Sequence, residues 1–160
     1  MLLGPFSDLP ELDEIAHRMF RQFARMEYAL KAAGYLKRED GRAEANWSAF
    51  AADIDEGLRN AFIEDAEVFA AVAYIGLKPP KKQMVRKGAL YWRETPPEAT
   101  TASGVLLMYV SRVRNNLFHG GKFSNGWLDP ERSRNLLRHC LTILDCCLRL
   151  SDRVRDAFEH

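Results

Sequence analysis

The stretch DPERSRNLLRHCLTILDCCL, residues 129–148, decides the fold class. Asp129 is a favoured N-cap residue, and Pro130 stands where a first helical turn needs no amide hydrogen. After them Leu136, Leu137, Cys140, Leu141, Leu144, Cys147 and Leu148 recur at three- and four-residue steps, which lays a continuous apolar stripe along one helical face. Upstream, the same spacing returns in Leu12, Ile15, Ala16, Met19, Phe20, Phe23, Met26 and Leu30, so a first helix is expected from about Leu9 to Gly34, opened by Asp8. A second fits Trp47 to Arg59, with Phe50, Ala51 and Ile54 on one side. A third fits Ala61 to Ile75, with a stripe of Phe62, Ala66, Phe69, Ala70 and Ala73. A fourth begins between Glu98 and Ser103 and carries Leu106, Val110, Val113 and Leu117 as its core face. The pattern predicts an all-α protein, an antiparallel helical bundle of about five helices.

Two interruptions punctuate that order. Lys37 to Ala45 is polar, contains Asp40-Gly41 and reads as a loop. Between Gly76-Leu77-Lys78-Pro79-Pro80 and Pro96-Pro97 a helix is disfavoured, and a short irregular or hairpin insertion is expected around 77–97, with Lys87-Gly88 as its turn. This insertion concentrates Lys78, Lys81, Lys82, Arg86, Lys87 and Arg93 against a single acid, Glu94. Lys81 and Lys82, with Lys122 further on, are candidate contacts to an RNA backbone, and Tyr91 or Trp92 offers a ring for base stacking. The same letters also fit a solvated loop whose aromatics fold onto the helices.

A chain of 160 residues, 47% of them hydrophobic, suits one domain spanning 1–160. Its 23 basic and 22 acidic residues leave a net charge of +1, which excludes a protein that coats nucleic acid through bulk charge, so any RNA contact must be local. Three cysteines, Cys140, Cys146 and Cys147, share one helix; Cys140 and Cys147 join its apolar stripe and the set lacks zinc spacing, so core packing in a reducing compartment is expected and no metal. No phosphate-loop or dinucleotide glycine motif is present, and no cofactor is expected. The amino terminus meets Pro5 and acidic residues before an apolar run of signal length develops, and nothing approaches a membrane span, so a cytoplasmic location without membrane contact is expected.

The chemistry concentrates in Arg112-Val113-Arg114-Asn115-Asn116-Leu117-Phe118-His119-Gly120-Gly121. Guanidinium forks hold oxoanions, and histidine is the side chain that exchanges protons near neutrality. Basic residues and glycine also terminate helices, and that bland reading accounts for His119 and Gly120. It gives no reason for Asn115 and Asn116, which are mediocre helix formers in an otherwise apolar helix. At about 100° per residue, Arg112, Asn115 and His119 share a face opposite the Leu106–Leu117 stripe and are expected to look outward.

Arg114-Asn115-x-x-x-His119, on the penultimate helix of a helical chain, resembles the Arg-x4-His motif of the HEPN superfamily. The resemblance implies paired long antiparallel helices and a metal-independent endoribonuclease that works as a homodimer. In such an enzyme His119 is the general acid/base at a ribose 2′-hydroxyl, Arg114 stabilises charge growing on the phosphate, and Asn115 orients the imidazole or the phosphate. Arg112, Asn116, Lys122, Lys81 and Lys82 are then substrate-binding candidates. It further implies a toxin or phage-defence setting, with an antitoxin or regulatory partner. Some relatives carry a tyrosine two residues after the histidine; Gly121 stands there in this chain. Arg114 and His119 lie about 140° apart around an ideal helix, whereas Arg112 returns to the histidine face. The resemblance therefore favours Arg114 and the helical geometry Arg112. A catalytically silent helical module binding RNA, a nucleotide or a partner protein is the competing expectation, and a ligand-free dimerisation protein a third.

Overall fold

The computed structural model describes residues 10–118 and 129–160. Along them run α1 (Pro10–Ala32), α2 (Trp47–Glu64), α3 (Ala66–Leu77), β1 (Lys82–Arg86), β2 (Ala89–Arg93), α4 (Ala102–Phe118), α5 (Pro130–Arg149) and α6 (Asp152–Glu159). The chain is thus mostly helical, and a small antiparallel sheet is added to the expected helical class.

Local chemistry sets the element ends. Asn46 caps α2, its side-chain oxygen accepting from the Ala49 amide at 3.0 Å. Asp129 caps α5 as expected, accepting from the Arg132 amide at 3.0 Å, with Pro130 in the first turn. The boundary between the second and third helices differs from expectation. It falls at Asp65, not between Arg59 and Ala61, because Asp65 serves both helices. Its amide donates to the Ala61 carbonyl at 2.8 Å, while its carboxylate accepts from the Glu67 and Val68 amides at 2.9 and 3.2 Å. The final helix also stops earlier than the chain does, and α6 forms a separate short element that buries Val154.

The expected hairpin is present and the irregular alternative is not. β1 and β2 pair in the register Lys82↔Arg93, Gln83↔Trp92, Met84↔Tyr91, Val85↔Leu90 and Arg86↔Ala89. Lys87 and Gly88 turn the chain with φ of 48° and 76°, the two positive angles that a tight primed turn needs. Glycine accepts that conformation without steric cost, and Lys87 is held there by the two strands it joins.

α1 packs against α5 and α6, α2 against α4 and α3, and α3 against α5. Leu12, Met19, Met26 and Leu30 of α1 meet Phe50 of α2, Ile75 of α3, Leu107 of α4, and Ile143 and Leu144 of α5 in one buried cluster. Tyr35 and Trp47 set their rings edge-on to Phe50 at 5.4 and 6.5 Å. The α5 stripe is buried throughout, and Leu106, Val110 and Val113 of α4 are buried with Leu117 half-buried. α3 corrects its expectation, because it buries Val68, Ala71 and Ile75. Phe62 and Phe69 instead stack on one another at 4.9 Å, and Phe69 is 52% exposed. Among the described residues no helix is long and apolar enough to cross a membrane.

α4 touches α1, α2, α3, α5 and β1. Its start is tightly held. Thr101 Oγ1 accepts from the Gly104 amide at 3.0 Å, and Asp55 of α2 accepts from the Ser103 amide at 3.2 Å. A Cβ at Gly104 would sit 2.9 Å from the Ala99 Cβ, so glycine is what lets the preceding loop fold back over this turn. Fixed at its start and along its length, α4 delivers its last turns to the base of the hairpin.

Candidate functional site

The last two turns of α4 distribute the motif residues to different neighbours. Arg114 turns towards α1, where its guanidinium lies 5.4 Å from the centre of the Phe23 ring and 5.0 Å from that of Phe118. Its Nη1 donates to Asn115 Oδ1 at 2.8 Å. Two ring faces and an amide thus fix the plane of this cation, leaving its remaining donors directed by that plane. Asn115 is exposed, and the partner it orients among the described residues is Arg114.

Asn116 points the other way. Its Nδ2 donates to the carbonyl of Lys81 at 2.8 Å, which fastens the end of α4 to the base of the hairpin. Beside that bond lies a shallow cleft lined by Lys78, Pro79, Lys81, Glu94 and Arg132. Arg132 Nη2 donates to the Lys78 carbonyl at 3.1 Å, so the start of α5 closes one side. Lys81 and Glu94 form an ion pair at 2.7 Å, and hydrogen bonding and charge from Lys81 hold the Glu94 carboxyl below the usual range. Lys81 therefore brings little net charge to the cleft, whereas Lys78 and Arg132 bring theirs. Lys82 is exposed at the first position of β1, opposite Arg93.

No protein-family model, curated protein or solved structure matches the chain.

Arg112 departs most from expectation. It does not look outward with Asn115, because only 8% of it is exposed and its guanidinium lies 5.4 Å from the Tyr109 ring centre. The helical wheel sets an angle and not what covers it, and in the folded chain Arg112 lies against Tyr109 and near Arg93 of β2. Burial pushes the Arg112 pKa down, with the nearby Arg93 charge adding to that effect and Tyr109 opposing it. The structure therefore separates the two candidate arginines, one stacked beside α1 and the other enclosed near the hairpin. His119, Gly120, Gly121 and Lys122 lie outside the described residues.

Sequence reasoning placed Arg93 in a basic patch without a role of its own and did not single out Arg132 or Tyr109. The hairpin register is the signal that reaches Arg93, since pairing about Lys87-Gly88 sets it opposite Lys82. Arg132 follows its cap by three residues, but nothing in sequence shows that it faces Lys78. On the hairpin, Arg86 lies over the Tyr91 ring at 4.9 Å and Trp92 is 37% exposed, so Trp92 is the freer of the two stacking candidates. Cys140 and Cys147 are wholly buried and desolvation pushes both thiols far up, which leaves them protonated core side chains. Among the described residues no three His, Cys, Asp or Glu side chains gather as metal ligands would.

Proposed function

We propose that this chain is a HEPN-like, metal-independent endoribonuclease that acts as a homodimer, its helices arranged as an antiparallel bundle. The observation that carries the reading is the bond from motif residue Asn116 to the Lys81 carbonyl, which sets the motif-bearing end of α4 beside a cleft edged by Lys78 and Arg132. In a nearly neutral chain, Lys78 and Arg132 stand free of a paired carboxylate among the described residues on that cleft. In this reading His119 removes the proton of a ribose 2′-hydroxyl. That oxygen attacks the adjacent phosphorus, the 5′-oxygen leaves with a proton, and a 2′,3′-cyclic phosphate results. Arg114, held between Phe23 and Phe118, stabilises the charge that develops on the phosphoryl oxygens. The second copy supplies the other acid/base histidine, so one imidazole takes a proton while its counterpart gives one. RNA is the substrate class, the cytoplasm the compartment, and a toxin or phage-defence role with an antitoxin or regulatory partner the setting.

Purified protein is expected to cut single-stranded RNA in the presence of EDTA, leaving 2′,3′-cyclic phosphate ends, and His119→Ala is expected to abolish the cut. Undiminished cleavage by a homogeneous His119→Ala preparation removes the proposed base. A strictly monomeric mass by light scattering at micromolar concentration removes the two-copy site. RNA binding without cleavage, lost in Arg114→Ala, selects the silent RNA-binding module instead.

A further inference from the structure

We infer that Arg93 and Arg112 form a seat for a phosphate group at the junction of α4 and the hairpin, distinct from the Arg114 position. Arg112 Nη1 and Arg93 Nε are both shielded from solvent, and neither has a hydrogen-bond partner among the described residues. Arg112 is more than nine-tenths buried and Tyr109 offers it only a ring face. No carboxylate among the described residues pairs with either arginine.

The backbone brings the two together. Asn116, one turn beyond Arg112 on α4, is bonded to the carbonyl of Lys81, and the following residue, Lys82, lies opposite Arg93 in the sheet. Both side chains are therefore carried to the same junction, where the Arg93 charge adds to the cost of the buried Arg112 charge. A shielded guanidinium N–H without a partner is costly, and more so on the buried Arg112 with a second cation beside it. A tetrahedral oxoanion answers both deficits, because it accepts from each orphaned N–H and neutralises the shared charge. Arginine suits this role better than lysine, since its fork presents fixed donors to more than one oxygen. Lys78 and Arg132 on the neighbouring cleft extend the positive potential towards solvent, giving the anion an approach. The seat asks for phosphate whether or not the chain cuts RNA, and its source is an RNA backbone phosphate or a free one.

Isothermal titration with inorganic phosphate, at constant ionic strength with chloride as the balancing salt, tests the seat. Wild-type protein is expected to bind phosphate saturably. Arg112→Met and Arg93→Gln should each bind about tenfold more weakly or worse, as the loss of a charge-assisted bond implies. Arg42→Gln, on the remote loop after α1, should bind as wild type does. Without phosphate, Arg112→Met is expected to melt at or above the wild-type temperature, since it removes a buried unpaired charge and keeps an apolar side chain. If Arg112→Met does not fold, Arg93→Gln decides alone. Equal phosphate binding by the wild type and by every variant that folds overturns the seat. A 2′-O-methyl oligoribonucleotide, which cannot be cut, then identifies the source: displacement of phosphate assigns the seat to RNA, and undisturbed phosphate assigns it to a free ligand. The His119→Ala cleavage assay reads a different residue and a different event, so the seat and the ribonuclease reading fail separately.

Discussion

His139 of α5 lies partly buried against α3, its imidazole centre 4.8 Å from that of the Tyr74 ring. Desolvation pushes its pKa down and the Arg138 charge adds to this, so the folded protein resists protonating it. In the unfolded chain it titrates near the ordinary value of about 6.5. Above that pH the group is neutral in both states and costs nothing. As pH falls through about 6.5 the unfolded chain takes up the proton first, and stability is lost until the folded-state pKa is passed. His139→Phe keeps the ring contact and cannot titrate. Thermal melts between about pH 7 and pH 5 should therefore decline less steeply for His139→Phe than for wild type; parallel curves would show that this imidazole does not set the acid sensitivity. Arg114 is constrained by geometry. Its two aromatic neighbours and Asn115 fix a planar group, so Arg114→Lys keeps the charge and loses the plane. Under the ribonuclease reading that substitution should lower cleavage while RNA binding stays close to wild type, measured as turnover against affinity on the same oligonucleotide.

At the scale of elements, α4 depends on a cap borrowed from another helix. Asp55 of α2 accepts from the Ser103 amide, and hydrogen bonding from Ser103, with Arg59 assisting, holds its carboxyl below the usual range against the opposing effect of burial. Its contribution is present above the ordinary carboxylate pKa of about 3.9 and fades as pH falls through the lower folded value. Asp55→Ala leaves the Ser103 amide without that partner at a buried helix start and should cost about 1 kcal/mol in chemical denaturation. An unchanged midpoint would mean that Thr101 alone sustains the cap. Elements with local signals were legible in sequence: the Asp129-Pro130 start of α5, the Lys87-Gly88 turn and the α5 stripe all rest on residues within a few positions of one another. α3 buries a different face from the expected one because AEVFAAVAYIGL is apolar nearly all round, so its periodicity cannot choose between Phe69 and the Val68, Ala71, Ile75 side. The choice is made by the preceding α2 together with α5, which lies far away in sequence. Arg112 departs from its outward expectation for the same reason, since the elements that bury it lie outside anything a helical wheel contains. The two-way division of Arg114 and Asn116 likewise appears only once α1 and the hairpin flank α4.

For the whole molecule, charge placement decides more than charge total. A net charge of +1 gives the surface at large little attraction for a polyanion, so under the ribonuclease reading RNA affinity comes from the few cations near the end of α4. Lys78, Lys82, Arg114 and Arg132 reach the surface there, while Lys81 is neutralised by Glu94 at 2.7 Å. Three to four phosphate contacts to a single strand, at about 0.7 per contact, give a slope of about −2 to −3 for log affinity against log salt concentration. Fluorescence anisotropy of a 2′-O-methyl oligoribonucleotide across a salt series measures it directly. A slope steeper than about −6 would mean that the whole surface binds and that the cleft is not the interface. A slope near zero would mean that no phosphate is held. Glu94→Gln supplies the internal check, because it releases Lys81 without removing any cation. If the cleft carries the RNA, that variant should bind more tightly at low salt and steepen the slope by about 0.7, and the gain should vanish in Glu94→Gln combined with Lys81→Gln. A gain that survives in the double variant would come from the lost acid alone and would leave Lys81 outside the RNA path.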